Sequence, residues 1–144
     1  MELVTTGKVA VTAMIEDLSD LHVAGRNLPD PALIRRITVD DALVDTGASS
    51  LSMPKTLIEQ LGLKRDKTRS ARTGAGVLEF GIYEAARLTI QGRDCSVDVM
   101  EIANGCPVLI GQLASECLYF IRDTSAYRLI GSPDHNGEHM FDLL

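Results

Sequence analysis

The chain has 144 residues, a net charge of −6 and a pI near 5.0. An acidic balance of this kind argues against nucleic acid or an anionic membrane as the main partner, because phosphate binding needs concentrated Lys and Arg. Hydrophobic residues make up 45% and aromatic ones only 4%, with no Trp, which suits an ordinary single domain over 1–144 with an aliphatic core and leaves few platforms for base stacking.

In chain order the pattern is mostly strand. Val9, Val11, Ala13 and Ile15 alternate with more polar neighbours, the period of a half-buried strand. Leu33 to Val39 is a second run of that kind. Leu28-Pro29-Asp30-Pro31 between them reads as a turn, since two prolines fix φ and remove donors. Ala42-Leu43-Val44 is a short apolar run that stops at Asp45-Thr46-Gly47, and Leu51-Ser52-Met53 resumes it. Pro54 to Leu61 predicts a short helix, with Pro54 in its first turn, Leu57, Ile58 and Leu61 on one face and Gly62 as the stop.

The basic stretch Lys64, Arg65, Lys67, Arg69 and Arg72 is interrupted by Asp66 and Ser70 and reads as a solvated loop rather than a binding patch. Thr73-Gly74-Ala75-Gly76 is a flexible tip between two strand-like stretches, the second of them from Val77 to Ile90 with Gly81 as a bulge. Gln91-Gly92-Arg93-Asp94 turns into Cys95 to Ile102, which alternates well. Asn104-Gly105 is another turn, Pro107 to Gly111 a short apolar strand, and Gln112 to Leu118 two turns of helix. Tyr119 to Asp123 and Tyr127 to Ile130 close the domain as a hairpin. The expectation is an all-β single domain of nine or ten strands and two short helices.

No apolar stretch approaches the ~20 residues of a membrane span, and the N-terminus has no basic region followed by an apolar run. Cys95, Cys106 and Cys117 form neither an even set nor a Cys-x-x-Cys pair. They read as small thiols of a reducing compartment, not as metal ligands or a disulfide framework. The expected setting is cytoplasmic.

Asp45-Thr46-Gly47-Ala48-Ser49 is the informative motif. Hydrolysing a peptide bond with a carboxyl pair requires two Asp side chains close enough to share a proton, one activating water and the other protonating the carbonyl. An Asp at the end of a buried apolar strand suits this. Gly47 lets the backbone turn so that N–H groups can face the carboxylate, and the Thr46 hydroxyl can bond across to a partner strand. A bare Asp-Thr-Gly triplet means little, since turns are made of such residues. The apolar runs on both sides raise its weight, as does Val108-Leu109-Ile110-Gly111 before a helix, which is placed to pass beside the loop and pin it.

With these residues the chain resembles the retropepsin-like aspartic peptidases, over roughly Lys8 to Asp123. The resemblance rests on Leu43 to Ser49, the flap-like region Thr73 to Gly76, and Val108 to Gly111 before a helix. The segment Gly131 to Glu138 is also similar to the tail of a prokaryotic branch of such proteins. What the resemblance implies is a closed barrel acting as a homodimer. Asp45 would be one member of the dyad, Thr46 the hydroxyl bracing two loops, and Gly47 a backbone contact. Ala48 and the tip Thr73, Gly74, Ala75 and Gly76 would bind an extended polypeptide substrate by strand-like hydrogen bonds. No cofactor and no metal is implied. Two positions depart from the viral pattern: Ser49 stands where an acidic residue is common, and Gln112 where an Arg is, so the dimer must be fixed differently.

Stoichiometry points the same way, since a single-chain enzyme would need a second such triplet. Asp123-Thr124-Ser125-Ala126 lacks the Gly. Three rival readings compete with this one. His135-Asn136-Gly137-Glu138-His139 fits a zinc-peptidase pattern, but Gly137 and Pro133 oppose the helix that chemistry needs, and His22 is the one further histidine. Gly74-x-Gly76 lacks the third glycine of a dinucleotide loop. The remaining rival is a catalytically silent module that dimerises or holds a peptide on the same fold.

Overall fold

The computed structural model describes residues 9–25, 33–45, 47–118, 120–123, 128–132 and 136–138. Nine strands and three short helices follow one another there. They are β1 (Val9–Asp17), α1 (Leu18–Ala24), β2 (Arg36–Val44), β3 (Leu51–Pro54), α2 (Lys55–Leu61), β4 (Lys64–Thr73), β5 (Gly76–Ile90), β6 (Arg93–Ile102), β7 (Leu109–Ile110), α3 (Gln112–Cys117), β8 (Phe120–Asp123) and β9 (Arg128–Gly131). The fold is mostly β. The main sheet runs β1-β2-β7-β3-β6-β5-β4, and β1 also pairs with β5 over Met14–Asp17, so the neighbour relations of six strands return to their start. β8 and β9 pair separately.

β2 shows how the core is kept continuous. Val11 pairs with Ala42 and Ala13 with Val39, so β2 spends one residue more than β1 between these points. This bulge leaves both Asp40 and Asp41 exposed while Val39 and Ala42 face inward. One strand therefore spans what the sequence pattern divides into two runs. It begins at Arg36, and Leu33 stands 67% exposed outside it. A second irregularity between Tyr83 and Ala86 acts alike on β5, keeping both residues on the core side.

Four more expectations need correction. The basic segment is strand β4, paired with β5 along its length, though its cations are exposed as expected. Gly81 is no bulge: it pairs regularly with Thr68 and is buried. A Cβ there would meet the Tyr83 ring at 3.0 Å and Arg65 Nε at 3.1 Å, so close packing accounts for the glycine. Pro54 is the last residue of β3 and the N-cap of α2 rather than part of its first turn. The third helix is α1, which the aliphatic periodicity does not announce. Asp17 caps it by accepting from the Asp20 N–H, and Arg35, the residue before β2, bonds the carboxylates of both Asp17 and Asp20. The Arg35 guanidinium holds the Asp20 carboxyl below its usual range.

Other expectations hold. Gly62 ends α2 with φ of 68°. Gln91 and Gly92, at φ of 50° and 78°, form the two-residue turn between β5 and β6. The Leu28–Pro31 turn, Tyr119, Thr124 to Tyr127 and both tail histidines lie outside the described residues. Among the described residues no helix is long and apolar enough to cross a membrane.

Candidate active site

Asp45 follows Val44, which is 1% exposed and pairs with Ile110, itself fully buried. The ladder continues one residue further, where the Asp45 N–H donates to the Ile110 carbonyl at 2.9 Å. The strand thus delivers Asp45 from the core to the surface, where its side chain is exposed. The Gly47 N–H donates to Asp45 Oδ1 at 2.9 Å, and the Ala48 N–H to the Asp45 carbonyl at 3.1 Å. A Cβ on Gly47 would lie 3.1 Å from Asp45 Oδ1, so the glycine gives the carboxylate room beside its donor.

The far side of the loop is held by β7 and α3. The Gly111 N–H donates to the Ser50 carbonyl, Gln112 to Ala48 and Leu113 to Ser49, at 2.9–3.0 Å. These include donors of the first helical turn, which have no partner inside the helix. Gly111 must be bare: a Cβ there would stand 2.4 Å from the Ser50 carbonyl oxygen, a backbone atom that cannot swing aside. Ser50 Oγ donates to the Asp98 carbonyl at 2.8 Å, which ties the loop to β6 as well. The pinning expected of Val108 to Gly111 is present, although only Leu109 and Ile110 of that run are strand.

The registers add a feature that periodicity alone does not reveal. One cross-strand row joins Val44, Ile110, Leu51, Val99 and Tyr83, all in or against the core. The next row joins Leu43, Leu109, Ser52, Met100 and Ile82, and ends at Lys67 of β4. Side chains alternate across a sheet, so this second row lies on the opposite face. It is apolar apart from Ser52 and Lys67, and runs from the strand carrying Asp45 to the β4–β5 hairpin. Leu43, Leu109 and Met100 in it are only half-buried.

That hairpin ends in Gly74 and Ala75, with Thr73 paired to Gly76. Its tip is exposed. Nothing lies within 4 Å of a Cβ built on Gly74 or Gly76, and Val77 and Leu78 just behind are 66% and 46% exposed. In the sheet, β7, β3 and β6 lie between β2 and the hairpin on one side, and β1, which pairs with both β2 and β5, lies between them on the other. An open depression of about 420 Å³ between β1, the β5–β6 turn and β9, lined by Ala10, Met14, Thr89 and Leu129, does not include the Asp45 loop. Among the described residues no three His, Cys, Asp or Glu side chains gather as a metal site would need.

A family model described as "gag-polyprotein putative aspartyl protease" matches residues 36–114, more than half of the chain. The chain belongs to this family. A comparison with curated proteins found no match. The stretch shared with the aspartyl proteases of the family contains the Asp45 loop, the hairpin tip, the apolar row and Gly111, and stops before β8 and β9. Of the expected site residues, Asp45, Gly47 and Ala48 share one hydrogen-bonded loop, Thr73 to Gly76 form the separate tip, and Thr46 lies outside the described residues.

Proposed function

We propose that this member of the aspartyl protease family is an endopeptidase whose active site forms between two copies of the chain, each giving one Asp45. The observation that carries this reading is the posture of Asp45: an exposed carboxylate on a loop braced from three sides, in a chain with a single Asp-Thr-Gly triplet. A carboxylate that serves only a turn does not need such support, whereas a dyad needs each member held to a fraction of an ångström. The return of the strand pairings to β1 supports a closed barrel as the frame.

With both carboxyls in place they share one proton and titrate as a pair. The ionised member takes a proton from water as its oxygen attacks the peptide carbonyl carbon, and the protonated member delivers its proton to the carbonyl oxygen. The tetrahedral adduct then collapses as the amide nitrogen is protonated and the C–N bond breaks. In this reading the row Leu43, Leu109, Ser52, Met100 and Ile82 lies beneath an extended peptide, and the Thr73–Gly76 tip closes over it. The exposed Val77 and Leu78 fit this arrangement, because apolar side chains at a hairpin tip gain from being covered.

The test is cleavage of a diverse peptide library between about pH 4 and 7 by the wild-type chain and by Asp45→Asn. Cutting by the wild type alone, with a bell-shaped pH profile and specific activity that falls on dilution, is the expected result. Equal cutting by both would remove Asp45 as the catalyst. Wild-type specific activity independent of dilution would remove the two-copy site.

A further inference from the structure

β6 leaves the Gln91-Gly92 turn with Arg93, Cys95, Val97 and Val99 alternating onto one face. Arg93 reaches across to the chain just past α3: its Nη1 donates to the Leu118 carbonyl at 3.0 Å, and its guanidinium lies 4.5 Å from the centroid of the Phe120 ring. The end of α3 therefore sits over the start of β6. The residue that ends the helix there is Cys117, and the next residue on the Arg93 face of the strand is Cys95. Both are free thiols, Cys95 buried and Cys117 exposed. Burial first, and then the neighbouring Cys117 thiol, push the Cys95 thiol up to about 12.

We propose that Cys95 and Cys117 are a reversible thiol–disulfide pair that, when oxidised, fastens α3 to β6. The chemistry assigns an order to the two sulfurs. Cys117 faces solvent and meets the oxidant first, while Cys95 is shielded and stays protonated. With a peroxide, the Cys117 thiolate attacks the O–O bond, giving a sulfenic acid and releasing water once a proton is taken up. Cys95 then loses its proton and attacks the Cys117 sulfur, and the sulfenic oxygen leaves as a second water. In sum, two thiols and one peroxide give one disulfide and two waters. A dithiol reverses the step by exchange.

The consequence lies at the other end of the helix. α3 spans six residues, and its first turn donates to the Ala48 and Ser49 carbonyls of the Asp45 loop. A bond at Cys117 holds both ends of this brace, and it constrains the unfolded chain between residues 95 and 117. Cys106, exposed in the turn after Asn104-Gly105, has no part in the pair and serves as an internal control. The pair does not depend on the peptidase reading.

The experiment is titration of the full chain with hydrogen peroxide, followed by intact mass, maleimide counting and peptide mapping. The expected product has lost two hydrogens, keeps one reactive thiol at Cys106, and contains a Cys95–Cys117 peptide that dithiothreitol separates. Its melting temperature rises, and amide exchange at Gln112 and Leu113 slows. Cys106→Ser should behave like the wild type, while Cys95→Ser should stop at a dimedone-reactive Cys117. A link that includes Cys106, oxygen adducts on Cys117 with Cys95 still reduced, or a Cys95–Cys117 link that leaves melting and exchange unchanged would each overturn the proposal.

Discussion

The Asp45 loop and the tip of the β4–β5 hairpin are both short turns built around glycine, and the fold treats them in opposite ways. Around Asp45 the glycines sit where another atom needs the space: Gly47 beside a carboxylate oxygen, Gly111 against the Ser50 carbonyl. Backbone bonds to Ile110, Gly111, Gln112 and Leu113 hold the loop. At the hairpin tip a Cβ built on Gly74 or Gly76 would meet nothing within 4 Å, Gly76 takes a φ of 109° open mainly to glycine, and the side chains of Val77 and Leu78 face solvent. One glycine loop is braced by the fold, while the other stands open to solvent. That division of labour suits a site with fixed chemistry and a closing lid.

The largest effect should come from attacking the fixed side. Gly111→Ala places a methyl 2.4 Å from a backbone oxygen, so either the Ser49–Ser50 backbone or β7 must shift. The expected cost is about 1–3 kcal/mol or more, read as a lower urea midpoint with an unchanged slope. Peptide cleavage should fall further than stability explains, since the loop carrying Asp45 loses its register. A variant as stable and active as the wild type would break the comparison, because the loop would then not depend on this contact.

The opposite outcome is expected at the tip. Val77→Ser combined with Leu78→Ser removes exposed apolar surface, so stability should stay within about 0.5 kcal/mol. Cleavage should still weaken, with KM rising more than kcat falls if these side chains act by covering the peptide. A large loss of stability would show that the tip already packs within one chain.

Much of this contrast was legible beforehand, and the exceptions have physical causes. The Asp45 loop could be read because a buried apolar run, an Asp-Thr-Gly turn and a second apolar run are local signals. The α2 stop at Gly62 and the Gln91-Gly92 turn are local in the same way. β2 could not be read whole, because the bulge that lets Asp40 and Asp41 both face water exists only through its pairing with β1. β4 carries cations on a two-stranded arm where neither face is buried, so no alternation marks it as a strand. α1 is held by Arg35, which lies 15 residues beyond Asp20. The row from Leu43 to Ile82 and the approach of Cys117 to Cys95 depend on register and tertiary packing, which a single sequence does not display.

The root of the hairpin marks where the fixed part ends. Tyr83 stands at the root of the hairpin, with the backbone of buried Gly81 close beside its ring, and its hydroxyl donates to Glu101 Oε1 at 2.6 Å. The hydrogen bond to Glu101 first, and then burial, raise the phenol pKa above its ordinary value. A raised pKa means that the folded state favours the protonated phenol. Its contribution is therefore complete below the unfolded value of about 10 and is lost as pH climbs through the higher folded value. Tyr83→Phe removes both the bond and the titration. It should cost about 0.5–1.5 kcal/mol at neutral pH, and the difference from the wild type should shrink above about pH 10. Exchange of the tip amides should be unaffected if the hairpin beyond Gly81 is already free of the core, whereas faster exchange there would show that Tyr83 restrains the tip as well as its root.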